Sequence, residues 1–92
     1  MIRHVKLLIS GRVQGVFFRA STHSQALKLN VVGTVKNLAD GCVEVYAQAE
    51  HDNLQSFITW CHKGPIAARV DQVELSELPI NPQLISFEVV DK

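Results

Sequence analysis

The apolar residues of this 92-residue chain follow two different spacings, and the order of those spacings most constrains its fold. Near the N terminus every second residue is apolar, at Val5, Leu7 and Ile9. The next stretch has the apolar spacing of a helix, at Phe18, Thr22, Ala26 and Leu29. A period of two is typical of a strand, and a period near 3.6 is typical of a helix. The sequence therefore predicts a strand followed by a helix in the first third of the chain.

The same succession repeats further along the chain. β-branched residues from Val31 predict a second strand that ends near Asn37, because such side chains favour extended backbone. The stretch NLADG (37–41) predicts a hairpin turn, with Asp40 and Gly41 at positive-φ positions. The remaining predicted elements are a third strand over 42–49, a helix over about 50–63 ended by Gly64 and Pro65, a strand within 66–77 that buries Val70, Val73 and Leu75, and a last strand at Ile85, Phe87 and Val89.

This order, β-α-β-β-α-β with a short additional strand, predicts a ferredoxin-like split βαβ fold of the α+β class. Right-handed crossovers place both helices on one face of an antiparallel sheet. The length fits a single domain over residues 1–92. This topology supports many functions, so it indicates none by itself.

Charge and cysteine content narrow the class of protein. Nine basic and nine acidic residues give a net charge of zero, which argues against a general nucleic-acid binder. No apolar run reaches the ~18–20 residues of a membrane span, and Met1–Leu8 lacks a signal-peptide core, so we expect a cytoplasmic location without membrane contact.

Cys42 and Cys61 lack metal-type spacing, and we expect both to be reduced, with a 42–61 disulfide as the alternative. Cys61 lies on the apolar face of its helix.

The stretch SGRVQGVFFR (10–19) raises a question of charge, because Arg19 lies in the first turn of the predicted helix. The helix dipole disfavours a cation there. Gly11 and Gly15 permit a loop whose N–H groups turn inward, and with the helix N terminus and Arg19 they could hold an anion. The alternative is a tight turn with Arg19 in solvent. A nucleotide P-loop is excluded, since its Gly-Lys-Ser/Thr ending is missing.

The segment GRVQGVFFR (11–19), followed by NLADGCVEV (37–45), resembles the acylphosphatase family. That family's pattern is Gly-x-Val-Gln-Gly-Val-x-Phe-Arg and then Gly-x-Val-x-Asn-x-x-Asp-Gly. The similarity extends through ALKLNVVGTVKN (26–37), GPIAARVDQV (64–73) and the terminal FEV (87–89), and so covers nearly the whole chain. It implies a ferredoxin-like, monomeric enzyme that hydrolyses acyl phosphates to carboxylate and phosphate without a metal or other cofactor.

The resemblance also implies roles for individual residues. Arg19 corresponds to the family's phosphate-binding arginine and Asn37 to its catalytic asparagine, which orients the attacking water. The predicted phosphate-binding loop comprises Gln14, Gly15, Val16, Phe17 and Phe18. Inorganic phosphate is then both product and inhibitor. Taken alone, Asn37 is better explained by turn chemistry, because asparagine before a hairpin often bonds its own backbone. The chain departs from the pattern at Thr34, where an aromatic residue is usual, and at Asn30, where glycine is usual; neither position carries the chemistry.

Two other functions fit parts of the sequence. A non-catalytic module that binds phosphate or carbamoyl phosphate needs the loop and Arg19, but has no use for a water-positioning amide at Asn37. An RNA-recognition domain shares the topology but needs exposed aromatics on the central strands, where only Tyr46 is available. The histidines lack metal-binding spacing and are expected at the surface or its boundary, at His4, His23, His51 and His62. Trp60 is expected to serve packing.

Overall fold

The computed structural model describes residues 1–91, which form five strands and two helices. In chain order they are β1 (Ile2–Arg12), α1 (Phe18–Lys28), β2 (Val32–Asn37), β3 (Val43–Glu50), α2 (His51–Lys63), β4 (Arg69–Leu78) and β5 (Phe87–Val90). The predicted order of elements is therefore confirmed. None of the helices in this part of the chain is long and apolar enough to cross a bilayer.

The strands form one sheet in the order β4-β1-β3-β2-β5. The pairs β1–β3, β1–β4 and β2–β3 are antiparallel, as predicted, but β5 runs parallel to β2. The predicted antiparallel arrangement therefore holds for the first four strands and fails only for the short last strand, which makes the sheet mixed. β4 and β5 are the two edge strands of the sheet. Residues 79–86 connect them by crossing one end of the sheet, so β5 begins at the end where β4 finishes. A strand entering from that end necessarily runs in the direction of β2.

The core lies between the sheet and the two helices. Val5, Leu7 and Ile9 of β1 are fully buried, which confirms the predicted strand face. They meet residues of the helices that are buried at the predicted positions, namely Phe18, Thr22 and Ala26 of α1 and Leu54, Phe57, Ile58 and Cys61 of α2. Each fully buried aliphatic or aromatic side chain contributes about 1.5–3 kcal/mol relative to exposure. This packing fixes the N terminus of α1 against the sheet.

Gly11 belongs to β1 and not to the loop, contrary to the sequence-based expectation. The β1–β4 register shifts between Ser10 and Gly11, which marks a bulge. Gly11 has φ +126°, and a Cβ at this position would lie 2.2 Å from the carbonyl oxygen of Arg69. The glycine is therefore required by the close approach of two backbones, and the loop begins only at Val13.

The edges of the sheet are less buried than the sequence predicts. Val70 and Val73 of β4 are partly buried against the core, but Leu75 is 43% exposed. Ile85 is 87% exposed and precedes β5. Both strands lie at an edge of the sheet, where each has a neighbour on one side only. An apolar residue at such a position does not have to be buried.

Two other local predictions are corrected. In the hairpin after β2 only Gly41 has positive φ, +95°, while Asp40 accepts a 3.0 Å hydrogen bond from the Cys42 N–H through its carboxylate. His4 is buried rather than at the surface, with a relative exposure of 6%. Its Nδ1 lies 2.8 Å from the carbonyl oxygen of Pro79, in the segment that crosses the sheet. The predicted cap at Asn30 is confirmed by its φ of +56°.

Candidate active site

The turn between β1 and α1 is shaped by two residues in left-handed conformation. Val13 and Val16 are buried and anchor the turn to the core. Between them Gly15 has φ +74° and nothing within 4 Å of where a Cβ would be, so backbone conformation and not space requires the glycine. Phe17 follows with φ 64° and ψ 24°. The chain thus reverses direction within a few residues and enters α1.

Among the described residues, no side chain of the N-cap or first turn of α1 neutralises the positive end of the helix dipole. Phe17 is its N-cap residue and makes no side-chain cap, and no acidic residue occupies the first turn. The first N–H groups of a helix lack intrahelical partners and carry partial positive charge. Arg19, the second residue of α1, adds a full charge at the same end. This end of the helix is therefore suited to an anion.

Gln14 connects this turn to the hairpin after β2. Its Nε2 donates hydrogen bonds to the carbonyl oxygens of Leu38 and Cys42, each at 2.8 Å. Leu38 directly follows Asn37, the last residue of β2. The side chain of Gln14 therefore fixes the position of Asn37 relative to the loop.

A pocket of about 340 Å³ opens where these elements meet. Its lining includes residues of the turn, of α1, of β2 and of β5, namely Val13, Gly15, Phe17, Phe18, Arg19, Ala20, Asn37 and Val89. Arg19 and Asn37 thus come together, although 18 positions separate them in the sequence. Of the predicted loop residues, Gln14 and Val16 do not line the pocket: the first holds the hairpin and the second is part of the core.

Asn37 presents a hydrogen-bond acceptor without a partner. Its Oδ1 is buried and receives no hydrogen bond from the described residues. Leaving a buried polar atom unsatisfied costs about 1–3 kcal/mol, so such atoms need an explanation. Because Asn37 lines the pocket, a bound water or ligand is the natural donor. The turn role of Asn37 does not account for this oxygen.

Arg19 is partly held by the end of the chain. Its Nη1 donates to the Asp91 carboxylate at 3.1 Å and approaches the Val90 carbonyl oxygen at 3.5 Å. The Asp91 side chain is 86% exposed, and ion pairs this exposed contribute little. Within residues 1–91 the other guanidinium nitrogens have no hydrogen-bond partner. Arg19 lines the pocket, and its side chain is 32% exposed.

Sequence reasoning missed Val13, Ala20, Val89 and Asp91. The terminal FEV segment supports the family resemblance, but nothing in its pattern places it at the site. β5 reaches the pocket because it pairs with β2, the strand that ends at Asn37. Only the order of the strands in the sheet shows that β5 lies beside the strand that carries Asn37.

The potential metal ligands of residues 1–91 are scattered. No group of three or more His, Cys, Asp or Glu residues in the described part of the chain could hold a metal ion. Cys42 and Cys61 are free, as predicted. Burial raises the pKa of the Cys61 thiol, and burial together with Asp40 raises that of Cys42. Trp60 packs against Phe18 with ring centroids 5.6 Å apart, which confirms its packing role.

Fold and pocket together define a ferredoxin-like α+β protein with a basic pocket between the β1–α1 turn and the end of β2. The model of the acylphosphatase family matches residues 5–89. An acylphosphatase of Legionella pneumophila (strain Philadelphia 1) is 49% identical over 86 residues, covering 94% of this chain and 93% of the relative. One from Marinobacter nauticus is 47% identical over 81 residues, 88% of each chain. The crystal structure of acylphosphatase from Bacillus subtilis superposes with a TM-score of 0.92 at 32% identity, covering 98% and 99% of the two chains.

The chain therefore belongs to the acylphosphatase family. Its activity is that of the family, the hydrolysis of acyl phosphates, and it is a hydrolase acting on acid anhydrides. The resemblance inferred from the sequence and the predicted fold class are both confirmed.

Proposed function

We propose that this enzyme divides the hydrolysis of acyl phosphates between two groups: the β1–α1 turn with Arg19 binds the phosphoryl group, and Asn37 positions the attacking water. The observation that carries the proposal is the buried, unpartnered Oδ1 of Asn37 in the pocket that Arg19 also lines. An anion and a water can then be held side by side.

Phosphoryl transfer depends mainly on positioning and on stabilising charge at the phosphoryl oxygens. The guanidinium of Arg19 is planar and can bind two oxygens at once. The N–H groups at the start of α1 add donors that do not need to reorient during the reaction. The exposed Asp91 carboxylate is the group that a phosphoryl oxygen would replace on Arg19.

Asn37 is suited to hold a water because its amide oxygen accepts a hydrogen bond without carrying a negative charge. A carboxylate there would repel the phosphoryl group. Asn37 is also rigidly placed, since it pairs with Val43 at the end of β2 and Gln14 holds the following residue.

The chemical step needs no further acid. The water oxygen forms a bond to phosphorus while the bond from phosphorus to the acyl oxygen breaks, and the carboxylate leaves with the electron pair. Its conjugate acid has a pKa near ~4, so it departs unprotonated. The proton of the water passes to a phosphoryl oxygen of the substrate, in keeping with the family resemblance.

Hydrolysis of benzoyl phosphate in ¹⁸O-labelled water tests this assignment. Attack on phosphorus puts the label into inorganic phosphate, and we expect it there. Label in benzoate would mean attack on the carbonyl carbon, which a water held beside the phosphoryl group does not explain. Spontaneous hydrolysis, measured without enzyme, is the control.

We infer further that the chain acts as a monomeric single domain in the cytoplasm, with inorganic phosphate as product and competitive inhibitor. One chain supplies the β1–α1 turn, Arg19 and Asn37, so the proposed mechanism needs no residue from a second copy. One cluster of buried residues joins the sheet to both helices. Two free cysteines fit a reducing compartment. Equilibrium sedimentation and phosphate inhibition of benzoyl phosphate hydrolysis test the first and last of these points.

A further inference from the structure

The side chain of Phe17 is not explained by the fold. The turn requires a left-handed residue at this position, with φ 64° and ψ 24°. Glycine or asparagine adopts that conformation easily, whereas a bulky aromatic residue there is strained. Burial does not compensate for the strain, because Phe17 is 82% exposed. Backbone outliers of this kind cluster at functional sites.

Phe17 lines the pocket that Arg19 and Asn37 also line. Besides these two, the described lining residues are apolar or glycine, and the only charged side chain among them is Arg19. Val89, on the neighbouring strand β5, is 41% exposed and adds apolar surface. A phosphoryl group bound at Arg19 therefore leaves an apolar part of the pocket for the rest of the substrate.

In-line attack determines which part of the substrate can reach that surface. The water and the leaving oxygen lie on opposite sides of phosphorus. With the phosphoryl group at Arg19 and the water at Asn37, the acyl group points away from Asn37, and the rest of the lining is the surface it can contact. The volume of about 340 Å³ exceeds the size of a phosphoryl group alone and is typical of a small-molecule site.

We propose that Phe17 is a specificity-determining residue, whose ring contacts the acyl group and favours uncharged, apolar and especially aromatic acyl chains over acetyl. The inference rests on the proposed function and extends it to the substrate class. An exposed aromatic side chain on a residue that lines the pocket can stack on the acyl group. A negatively charged acyl chain finds only Arg19 as an opposite charge, and the phosphoryl group occupies that residue. A positively charged acyl chain finds no carboxylate among the described lining residues.

The test compares benzoyl phosphate with acetyl phosphate in the parent, in Phe17→Ala and in Phe17→Gly. Both variants remove the ring, but only glycine relieves the strained φ. We expect the ratio of kcat/KM for benzoyl over acetyl phosphate to fall about three- to tenfold in both variants, the usual worth of an aromatic contact. Thermal midpoints separate the two variants, with Phe17→Gly above Phe17→Ala. Ile66→Ala is the matched control, because Ile66 is fully exposed and lies outside this pocket.

The outcomes separate a contact of the ring from an effect of loop conformation. A ratio unchanged in active variants would overturn the role of Phe17 while leaving the proposed function intact. A ratio that falls in Phe17→Ala and recovers in Phe17→Gly would also overturn it, because loop conformation and not ring contact would then set the preference. Absence of turnover by the parent on both substrates would instead overturn the proposed function itself.

Discussion

Gln14 and Leu38 are joined by a 2.8 Å hydrogen bond from the side-chain amide of the first to the backbone carbonyl of the second. A second bond of the same length reaches Cys42. The bonds connect the turn that leads to Arg19 with the hairpin that follows Asn37. The two proposed functional groups therefore hold a fixed relative position although they lie on different elements.

Gln14→Ala tests this connection. It removes both hydrogen bonds, and small displacements of a positioning group can lower the rate about 10²-fold. We expect kcat to fall about 10- to 100-fold, with the phosphate inhibition constant changed only a few-fold, because Arg19 and the helix N terminus are retained. Steady-state kinetics and phosphate inhibition on one preparation provide the comparison. Equal losses in kcat and phosphate affinity would show that Gln14 shapes the anion site instead.

Arg19→Ala is expected to weaken binding and turnover together. Charge-assisted hydrogen bonds contribute roughly 1.5–3 kcal/mol, and loss of one oxyanion donor lowers kcat about 10²–10³-fold. Arg19→Lys should restore little, since a point charge cannot bind two oxygens as the planar guanidinium does. Arg69→Ala is the matched control, because it removes an exposed guanidinium that pairs with Asp71 away from the pocket. Near-normal rates in the lysine variant would rule out bidentate binding.

Chelation is expected to leave the activity unchanged. Residues 1–91 offer no cluster of three metal ligands, and the proposed mechanism stabilises charge with Arg19 and backbone N–H groups. Benzoyl phosphate hydrolysis should proceed at the same rate after dialysis against EDTA, and added zinc should not raise it. A rate that falls on chelation and returns with metal would contradict this mechanism.

The stability of the protein should fall at alkaline pH because of Cys61. Burial raises the pKa of this thiol in the folded state, while in the unfolded chain it titrates near ~8.5. The unfolded state alone therefore loses the proton above that pH, and the free energy of unfolding falls by about 1.4 kcal/mol per pH unit. Urea unfolding between pH 7 and 10 should show a steeper fall in the parent than in Cys61→Ala, because Cys42, whose pKa is also raised, is present in both proteins. Parallel curves would mean that the thiol ionises equally in both states.

Local sequence patterns predicted the elements well, because each element depends on neighbouring residues. They did not predict that Arg19 and Asn37 share a pocket, since these residues lie on different elements; that expectation came from the family resemblance. The spacing from Phe18 to Ala26 defines the buried face of α1, and the glycine-containing turn precedes it. The resemblance to the family supplied the role of Asn37, which the hairpin pattern alone leaves open.

The remaining features depend on contacts between distant segments. Gly11 is required by the Arg69 backbone across the sheet, so its own neighbours do not indicate a bulge. His4 has the alternation of an outward-facing strand residue, but the segment at Pro79 covers it. The place of β5 beside β2 is set by how residues 79–86 cross the sheet, which local pattern does not encode.

Substitution of Asn37 by alanine tests the central claim most directly, because it separates catalysis from binding. Removing a group that acts on the attacking water lowers kcat and kcat/KM together. Turnover, the phosphate inhibition constant and the thermal midpoint should be measured on one preparation of Asn37→Ala. Asn53→Ala, which makes the same change on α2 outside the pocket, is the control. We predict a folded variant that binds phosphate within a few-fold of the parent and has lost at least about 10²-fold in kcat; a folded variant with normal turnover would contradict the account.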